Sequence, residues 1–100
     1  SYLSEIQRAL THFQLVKIRY QKLESDTFSE REVEPFAIYH NTAENWVLIA
    51  WCRLREEYRN FRIDRILELE VQSTQFKPHE MTLDEYVEIQ RKKHFNEPLT

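Results

Sequence analysis

The densest concentration of residues that could bind a ligand lies at positions 53 to 65. This segment holds five of the chain's nine arginines and three acidic residues, a local charge of +2 within a 100-residue chain of formal charge −3. The arginines are Arg53, Arg55, Arg59, Arg62 and Arg65. A guanidinium group is a planar, forked donor that matches phosphate and carboxylate groups and stacks on bases. The segment therefore indicates a site for an anion or a nucleotide.

A plainer alternative for these arginines is ion pairing on a solvated face of a sheet. The available partners are Glu32, Glu34, Glu56, Glu57, Glu68 and Glu70. Composition alone favours this alternative, because charged runs usually form solvated faces. Both interpretations stay open at the level of sequence.

Trp46 and Trp51 bracket an apolar run and lie five positions apart, so in a strand they point to opposite faces. We expect one ring in the core. The other either stacks beside the arginines or packs in a second layer under a helix.

Metal and catalytic sites are not indicated. The four histidines, His12, His40, His79 and His94, have no ligand spacing. Cys52 lies within the apolar run, where inert core packing is expected. The chain has no glycine, which excludes glycine-rich phosphate loops and the nucleophile elbow. We therefore expect no enzyme, no cofactor and no metal.

Helical periodicity marks both ends of the chain. Apolar residues at helical spacing predict a helix over about 3 to 12, with Ser4 and Gln7 as a capping box. A second helix is predicted over about 82 to 94, with Thr82 and Glu85 as its capping box.

Between the helices the period changes to two. Alternation predicts strands from Val16 to Tyr20 and from Arg31 to His40, separated by a polar loop at 22 to 27. The alternation changes phase at Pro35, which indicates a bulge or bend. Three more strands are expected at 46–52, 61–64 and 67–71, with turns at 40–45 and 53–57.

These elements predict one mainly β domain. Five short strands after one helix are typical of a small, strongly bent β-barrel. We expect the barrel and first helix at 1–76, followed by a linker and helix at 77–100. Asn41 and Asn45 are expected to supply left-handed turn conformations in place of glycine.

Composition also indicates the cellular compartment in which the chain is expected. No apolar run approaches the ~20 residues that cross a bilayer, so no membrane is expected as a partner. A single cysteine and the lack of a signal peptide favour a reducing cytoplasm. Because the chain begins with Ser1, we expect a module of a longer protein.

Three motifs together closely resemble the WYL domain of bacterial transcriptional regulators: REVEPF at 31–36, WVLIAWCRLR at 46–55 and RNFRIDRI at 59–66. The resemblance runs from the first helix to Tyr86. It implies an SH3-like barrel of the Sm type that serves as a sensor for a DNA-binding winged helix-turn-helix, which this chain does not contain. It also implies a basic pocket for a nucleic-acid fragment, a nucleotide or another anion.

The resemblance assigns positions within the site. Trp46 and Leu48 match two residues of the family's motif, and Val47 replaces its tyrosine. Trp51 shares the face of Val47, and we expect it to supply the missing aromatic surface. The full set of expected ligand-binding residues is Arg31, His40, Trp46, Trp51, Arg53, Arg55, Arg59, Arg62 and Arg65.

The expected function is a regulatory sensor that binds an anionic effector, such as a nucleotide or short single strand, and modulates an attached DNA-binding domain. Two alternatives are a direct single-strand binder, in which the arginines follow the strand, and a structural domain that forms a homodimer. The residues outside 53–65 are strongly acidic in sum. This charge division suits a focused pocket better than a DNA-coating surface.

Overall fold

The computed structural model describes residues 1–21 and 27–96, so residues 22–26 of the predicted first loop lie outside the described residues. A helix, α1 (Leu3–Thr11), precedes a five-stranded antiparallel sheet, and a second helix, α2 (Leu83–Asn96), follows it. The strands are β1 (Gln14–Gln21), β2 (Phe28–His40), β3 (Trp46–Cys52), β4 (Glu57–Arg62) and β5 (Ile66–Gln75), in the spatial order β4-β3-β2-β1-β5. One turn of 3-10 helix, Ile63–Arg65, joins β4 to β5. The predicted mainly β architecture with a helix at each end is confirmed.

Strand β2 belongs to both halves of the sheet. Its first part pairs with β1 and its second part with β3, and Val33 pairs with both Val16 and Cys52. The register shifts between Pro35 and Ala37, as the phase change in the sequence predicts. Proline has no N–H to donate to a ladder, and a bulge bends its strand. The sheet therefore curves and encloses a concave face.

The hydrophobic core fills this concave face, and α1 covers it. Its buried members are Ile6, Ala9, Val16, Ile18, Val33, Leu48, Ala50, Cys52, Phe61, Ile63 and Ile66. The expectation of a tryptophan in the core is wrong, because β3 contributes Leu48, Ala50 and Cys52 to that space. Trp46 is 45% exposed, and Trp51 is half-buried on the outer face.

The two helices begin in different ways. α1 begins at Leu3 with Tyr2 at the N-cap and no side-chain cap, so the predicted Ser4–Gln7 capping box is wrong. Ser4 lies inside the helix, whose buried face carries Ile6 and Ala9. The capping box of α2 is confirmed: the Glu85 N–H donates to Thr82 Oγ1, and the Thr82 N–H donates to Glu85 Oε1, both at 3.1 Å.

The C-terminal segment packs on the outer face of β2, β3 and β4 through six rings, which we call the aromatic cluster: Phe36, Trp51, Tyr58, Phe76, His79 and Tyr86. His79 lies at its centre, and its Nδ1 shares a hydrogen bond of 2.8 Å with the Tyr58 hydroxyl. Burial raises the pKa of the Tyr58 and Tyr86 phenols, so both stay neutral. The cluster attaches α2 to the barrel near the start of the helix.

The turns reach left-handed backbone conformations without glycine. Among the described residues, Phe13, Glu44 and Glu56 have φ of 54°, 63° and 53°. The expectation that Asn41 and Asn45 take these conformations is wrong. Asn41 Oδ1 instead accepts the N–H groups of Ala43 at 3.0 Å and Asn45 at 2.9 Å, which holds the turn while Glu44 takes the left-handed position.

Replacing Glu44 with glycine is expected to stabilise the fold by roughly 0.5–1 kcal/mol, because the left-handed penalty of a Cβ exceeds glycine's extra entropy in the unfolded chain. The measurement is urea unfolding. Ala43→Gly is the matched control, since Ala43 has no positive φ, and it should not stabilise. A Glu44→Gly variant no more stable than the wild type would contradict the assignment of strain.

Replacing His79 with alanine is expected to loosen α2. The change removes the central ring and its hydrogen bond to Tyr58, a loss of about 1–3 kcal/mol. Amide protons of α2 should then exchange at least about fivefold faster, as measured by hydrogen exchange. His12→Ala is the control, because His12 is exposed at the end of α1. Unchanged protection of α2 would show that the cluster does not attach it.

Candidate anion-binding site

One cavity of about 260 Å³ gathers three of the predicted arginines. We call it the arginine cavity, and it is lined by Tyr20, Ser29, Arg31, Arg55, Arg59, Asn60 and Phe61. The arginines come from three places in the fold: β2, the turn after β3, and β4. The sheet therefore brings together side chains that are up to 28 positions apart.

Strand alternation explains why these side chains meet. Ser29 and Arg31 continue the concave face of β2 beyond Val33, and Tyr20 pairs directly with Ser29. From the other side Arg59 pairs with Ala50, a core residue of β3. The arginine cavity is thus the open end of the barrel interior, where polar side chains replace the apolar core.

The cavity is a concentration of hydrogen-bond donors. No carboxylate lines it, and none of its three arginines forms an ion pair within the described ranges 1–21 and 27–96. Arg31 Nη1 donates to the Glu30 carbonyl oxygen at 2.9 Å, which orients that side chain. Three positive charges that no described carboxylate neutralises create a potential that attracts an anion.

Two neutral groups add to this donor set. The Tyr20 hydroxyl accepts the Arg62 backbone N–H at 3.0 Å and keeps its own proton to donate. Ser29 contributes a second hydroxyl. The floor is aromatic: the rings of Tyr20 and Phe61 meet edge to face with centroids 5.3 Å apart.

Two other predicted arginines form ion pairs. Arg53 Nε donates to Glu34 Oε2 at 3.0 Å. Arg62 forms a two-pronged pair with Asp64, with Nε to Oδ1 at 3.0 Å and Nη2 to Oδ2 at 2.6 Å. These hydrogen bonds raise the pKa of Arg62 and lower the pKa of Asp64. Surface pairing thus accounts for part of the arginine segment.

Arg53 lines a separate groove of about 480 Å³ beside the cavity, together with Lys17, Glu30, Arg31, Glu32 and Leu54. Arg31 is common to the groove and the cavity. Arg65 lines neither, and its Nε is buried without a hydrogen-bond partner in the described part of the chain.

The predicted aromatic and histidine residues lie elsewhere. Trp51 is in register with Tyr58 on the outer face and belongs to the aromatic cluster, so it packs in the second layer that the sequence left open. Trp46 packs against His40 at 4.9 Å, and neither residue lines the cavity. Val47, which replaces the motif tyrosine, is 3% exposed.

Tyr20, Ser29, Asn60 and Phe61 are lining residues that the sequence interpretation did not include. A signal for two of them exists in the alternation. Continuing the concave face one step past Ile18 gives Tyr20, and its antiparallel partner is then Ser29.

Two further observations concern only residues 1–21 and 27–96. No group of three or more histidine, cysteine, aspartate or glutamate side chains is placed to hold a metal ion. No helix in this part of the chain is long and apolar enough to cross a membrane.

Comparison with known proteins gives this geometry a context. A family model described as the WYL domain matches residues 1–71, which include every residue that lines the arginine cavity. The chain belongs to the WYL-domain family. The C-terminal segment with His79 and α2 lies beyond the matched residues.

Two Escherichia coli sequences of the DNA-binding transcriptional repressor CapW, one from strain KTE188, are each 33% identical to this WYL domain over 66 residues. The matched region is 66% of this chain and 22% of the repressor, so the chain spans about a fifth of the length of these curated relatives. A structure of proteasome accessory factor B/C (PafBC) of Arthrobacter aurescens is similar with a TM-score of 0.69 at 29% identity, over 75% of this chain and 12% of that chain. This WYL domain is therefore related to a transcriptional repressor, which supports a regulatory role.

Replacing Arg62 with glutamine is expected to return the pKa of Asp64 toward its ordinary value of about 3.9, because the guanidinium hydrogen bonds that lower it are lost. The measurement is the pH titration of the Asp64 carboxyl signal by NMR. Arg91→Gln, on α2, is the matched control and should leave that signal unchanged.

The pair of Arg62 and Asp64 also makes the stability of the fold depend on pH. A lowered pKa stabilises the fold above the ordinary value, and that stability is lost as pH falls through the lowered value. Acidification below about pH 4 should therefore destabilise the wild type more than Arg62→Gln. An Asp64 pKa that is equal in the two proteins would contradict the role given to the pair.

Proposed function

We propose that this WYL domain is the ligand-sensing part of a longer bacterial transcriptional regulator. Its ligand is a negatively charged effector, a nucleotide or a short single-stranded nucleic-acid segment, bound in the arginine cavity. Occupancy of the cavity modulates a DNA-binding domain attached elsewhere in the regulator. The kinship with a DNA-binding transcriptional repressor supports the regulatory half of this proposal.

The observation that supports the ligand half is the convergence of Arg31, Arg55 and Arg59 on one cavity that no carboxylate of the described residues lines. Surface arginines are ordinarily neutralised by neighbours, as Arg53 and Arg62 are here. These three guanidinium groups form no ion pair with the described residues and repel one another, and an anion that enters relieves this repulsion while it accepts charge-assisted hydrogen bonds. A sensor uses the free energy of binding such an anion to change the state of the regulator.

A compact pocket is favoured over a track for a long single strand. One path leads from the cavity through the shared lining residue Arg31 into the groove that contains Glu30 and Glu32. The carboxylates of Glu30 and Glu32 repel the phosphates of a nucleic-acid backbone. A compact pocket should saturate with a short ligand and show a shallow salt dependence, whereas a strand track shows a steep one.

Sensing requires that the effector bind two states of the regulator with different affinity. We propose that the domain acts by such coupling and not by catalysis, in the cytoplasm, and without a cofactor. Self-association into a homodimer is the competing structural role. For that role no small anion would need to bind.

A bound effector should raise the melting temperature of the chain. At ten times its Kd a ligand stabilises the native state by about 1.4 kcal/mol, which corresponds to a rise in Tm of about 7 °C for a domain of this size. The measurement is a thermal shift with mono-, di- and oligonucleotides of ribose and deoxyribose. Arg55→Ala and Arg59→Ala are each expected to abolish the shift.

Arg8→Ala is the matched control, because Arg8 is exposed on α1 and lines neither the cavity nor the groove. It should preserve the shift. A shift that survives both cavity variants would overturn the assignment of the cavity. The lack of a shift with every nucleotide would overturn the ligand class and favour the structural role.

A further inference from the structure

We propose that the arginine cavity recognises a terminal phosphomonoester, so that a nucleic-acid effector is read by its phosphorylated end and not along its backbone. This inference rests on the proposed function and narrows its ligand. Three properties of the cavity carry it: the charge and number of its donors, its size and closed floor, and the carboxylates beside it.

The donors outnumber what an internal phosphate can use. A phosphodiester carries one negative charge and two non-bridging oxygens, whereas a phosphomonoester at neutral pH carries about 1.5–2 charges and three terminal oxygens. Each guanidinium can donate two parallel hydrogen bonds to such oxygens. Arg31, Arg55 and Arg59, with the Tyr20 and Ser29 hydroxyls, therefore match the terminal group better.

Size and shape favour the end of a chain over its middle. The cavity measures about 260 Å³, less than the roughly 300–1,000 Å³ of common small-molecule pockets. Its floor is Phe61, which is 5% exposed and belongs to the core. Because the concave face beyond Arg31 and Arg59 is packed with Val33 and Ala50, a strand has no route through the barrel. A phosphate at a strand end can enter such a cavity without threading it.

The charged residues beside the cavity also favour a terminal phosphate. The adjoining groove places Glu30 and Glu32 among Lys17, Arg31 and Arg53. Farther round the sheet, a third concavity carries more carboxylates, from Glu30, Glu68 and Glu70, than cations. A backbone running on from the cavity would meet these negative groups at successive phosphates. The favourable potential is therefore strongest in the arginine cavity, because among the described residues the lining charges sum to +3 in the cavity and to +1 in the groove.

The test measures binding of the 100-residue chain to oligothymidylates of one length that end in a 5′-phosphate, a 3′-phosphate or hydroxyls only, with inorganic phosphate as a competitor. A phosphorylated end should bind at least about tenfold more tightly than the hydroxyl-only strand. The two phosphorylated arms distinguish which end is read. Millimolar inorganic phosphate should reduce binding of the phosphorylated strand.

The variants locate the preference. Arg59→Gln and Arg55→Gln should each remove most of the advantage of the phosphorylated end, and Arg8→Gln on α1 should retain it. Both cavity side chains are exposed, and neither forms an ion pair in the described part of the fold, so two independent variants are open to test.

A pH series adds a readout of the charge on the terminal phosphate. The second pKa of a phosphomonoester is about 6, so the advantage of the phosphorylated end should shrink as pH falls from 7.5 to 5.5. Among the described residues, the groups that line the cavity are the three arginines, Tyr20, Ser29, Asn60 and Phe61, and none is a carboxylate or an imidazole. Titration of these lining groups therefore does not imitate the effect.

The outcomes separate this inference from the function on which it rests. Equal affinity for phosphorylated and hydroxyl-only strands, with binding still sensitive to Arg59→Gln, would overturn the end preference and leave the proposed function standing. No binding of any strand would overturn both. A phosphate advantage that persists in both cavity variants would move the end-reading site away from the arginine cavity and so overturn the inference.

Discussion

The bend in β2 at Pro35 is the constraint on which the rest of the structure depends. It lies within the pairing of β2 with β3, which runs from Val33 to His40, just after the pairing with β1 ends at Val33. A straight strand would leave Arg31 and Arg59 on distant parts of a flat sheet. The curved sheet instead turns both side chains toward one concave space. The buried core fills part of that space, and the arginine cavity forms its open end. Proline suits this position because the bulge leaves a backbone group without a ladder partner.

Because of this curvature, the two faces of β3 make different contacts. Leu48, Ala50 and Cys52 face the core, while Trp51 faces outward to the aromatic cluster and the C-terminal segment. Glu34 stands where the two regions approach each other, with Oε2 3.0 Å from Arg53 Nε and Oε1 3.0 Å from His79 Nε2. The arginine cavity and the attachment of α2 share one residue, because Asn60 lines the cavity and its Oδ1 accepts a hydrogen bond from the Tyr86 hydroxyl at 3.3 Å.

Much of the fold follows from short-range patterns in the sequence. The period of the apolar residues gives both helices and four of the strands, and the phase change at Pro35 gives the bulge, because these features depend on neighbours within a few positions. The strand predicted at 61–64 is misplaced, because β4 covers Glu57–Arg62 and Ile63–Arg65 forms a 3-10 turn. The arginine segment was equally visible. The sequence alone did not show which of these arginines form ion pairs. Arg53 meets Glu34 across 19 positions, and only the strand register sets that contact. The same register brings Tyr20 and Ser29 to the cavity.

One turn outside the cavity has a consequence for the energetics of binding. Glu56 holds its left-handed conformation at φ 53°, and its N–H donates to the Cys52 carbonyl oxygen at 2.7 Å, which closes the turn that carries Arg55. The backbone under Arg55 is thus ordered before any ligand arrives. The entropy lost on binding is then limited to the side chain, about 0.5–1.5 kcal/mol for a long flexible group, and the loop adds nothing to it. Preorganisation of this kind would lower the entropic cost of binding the proposed anion.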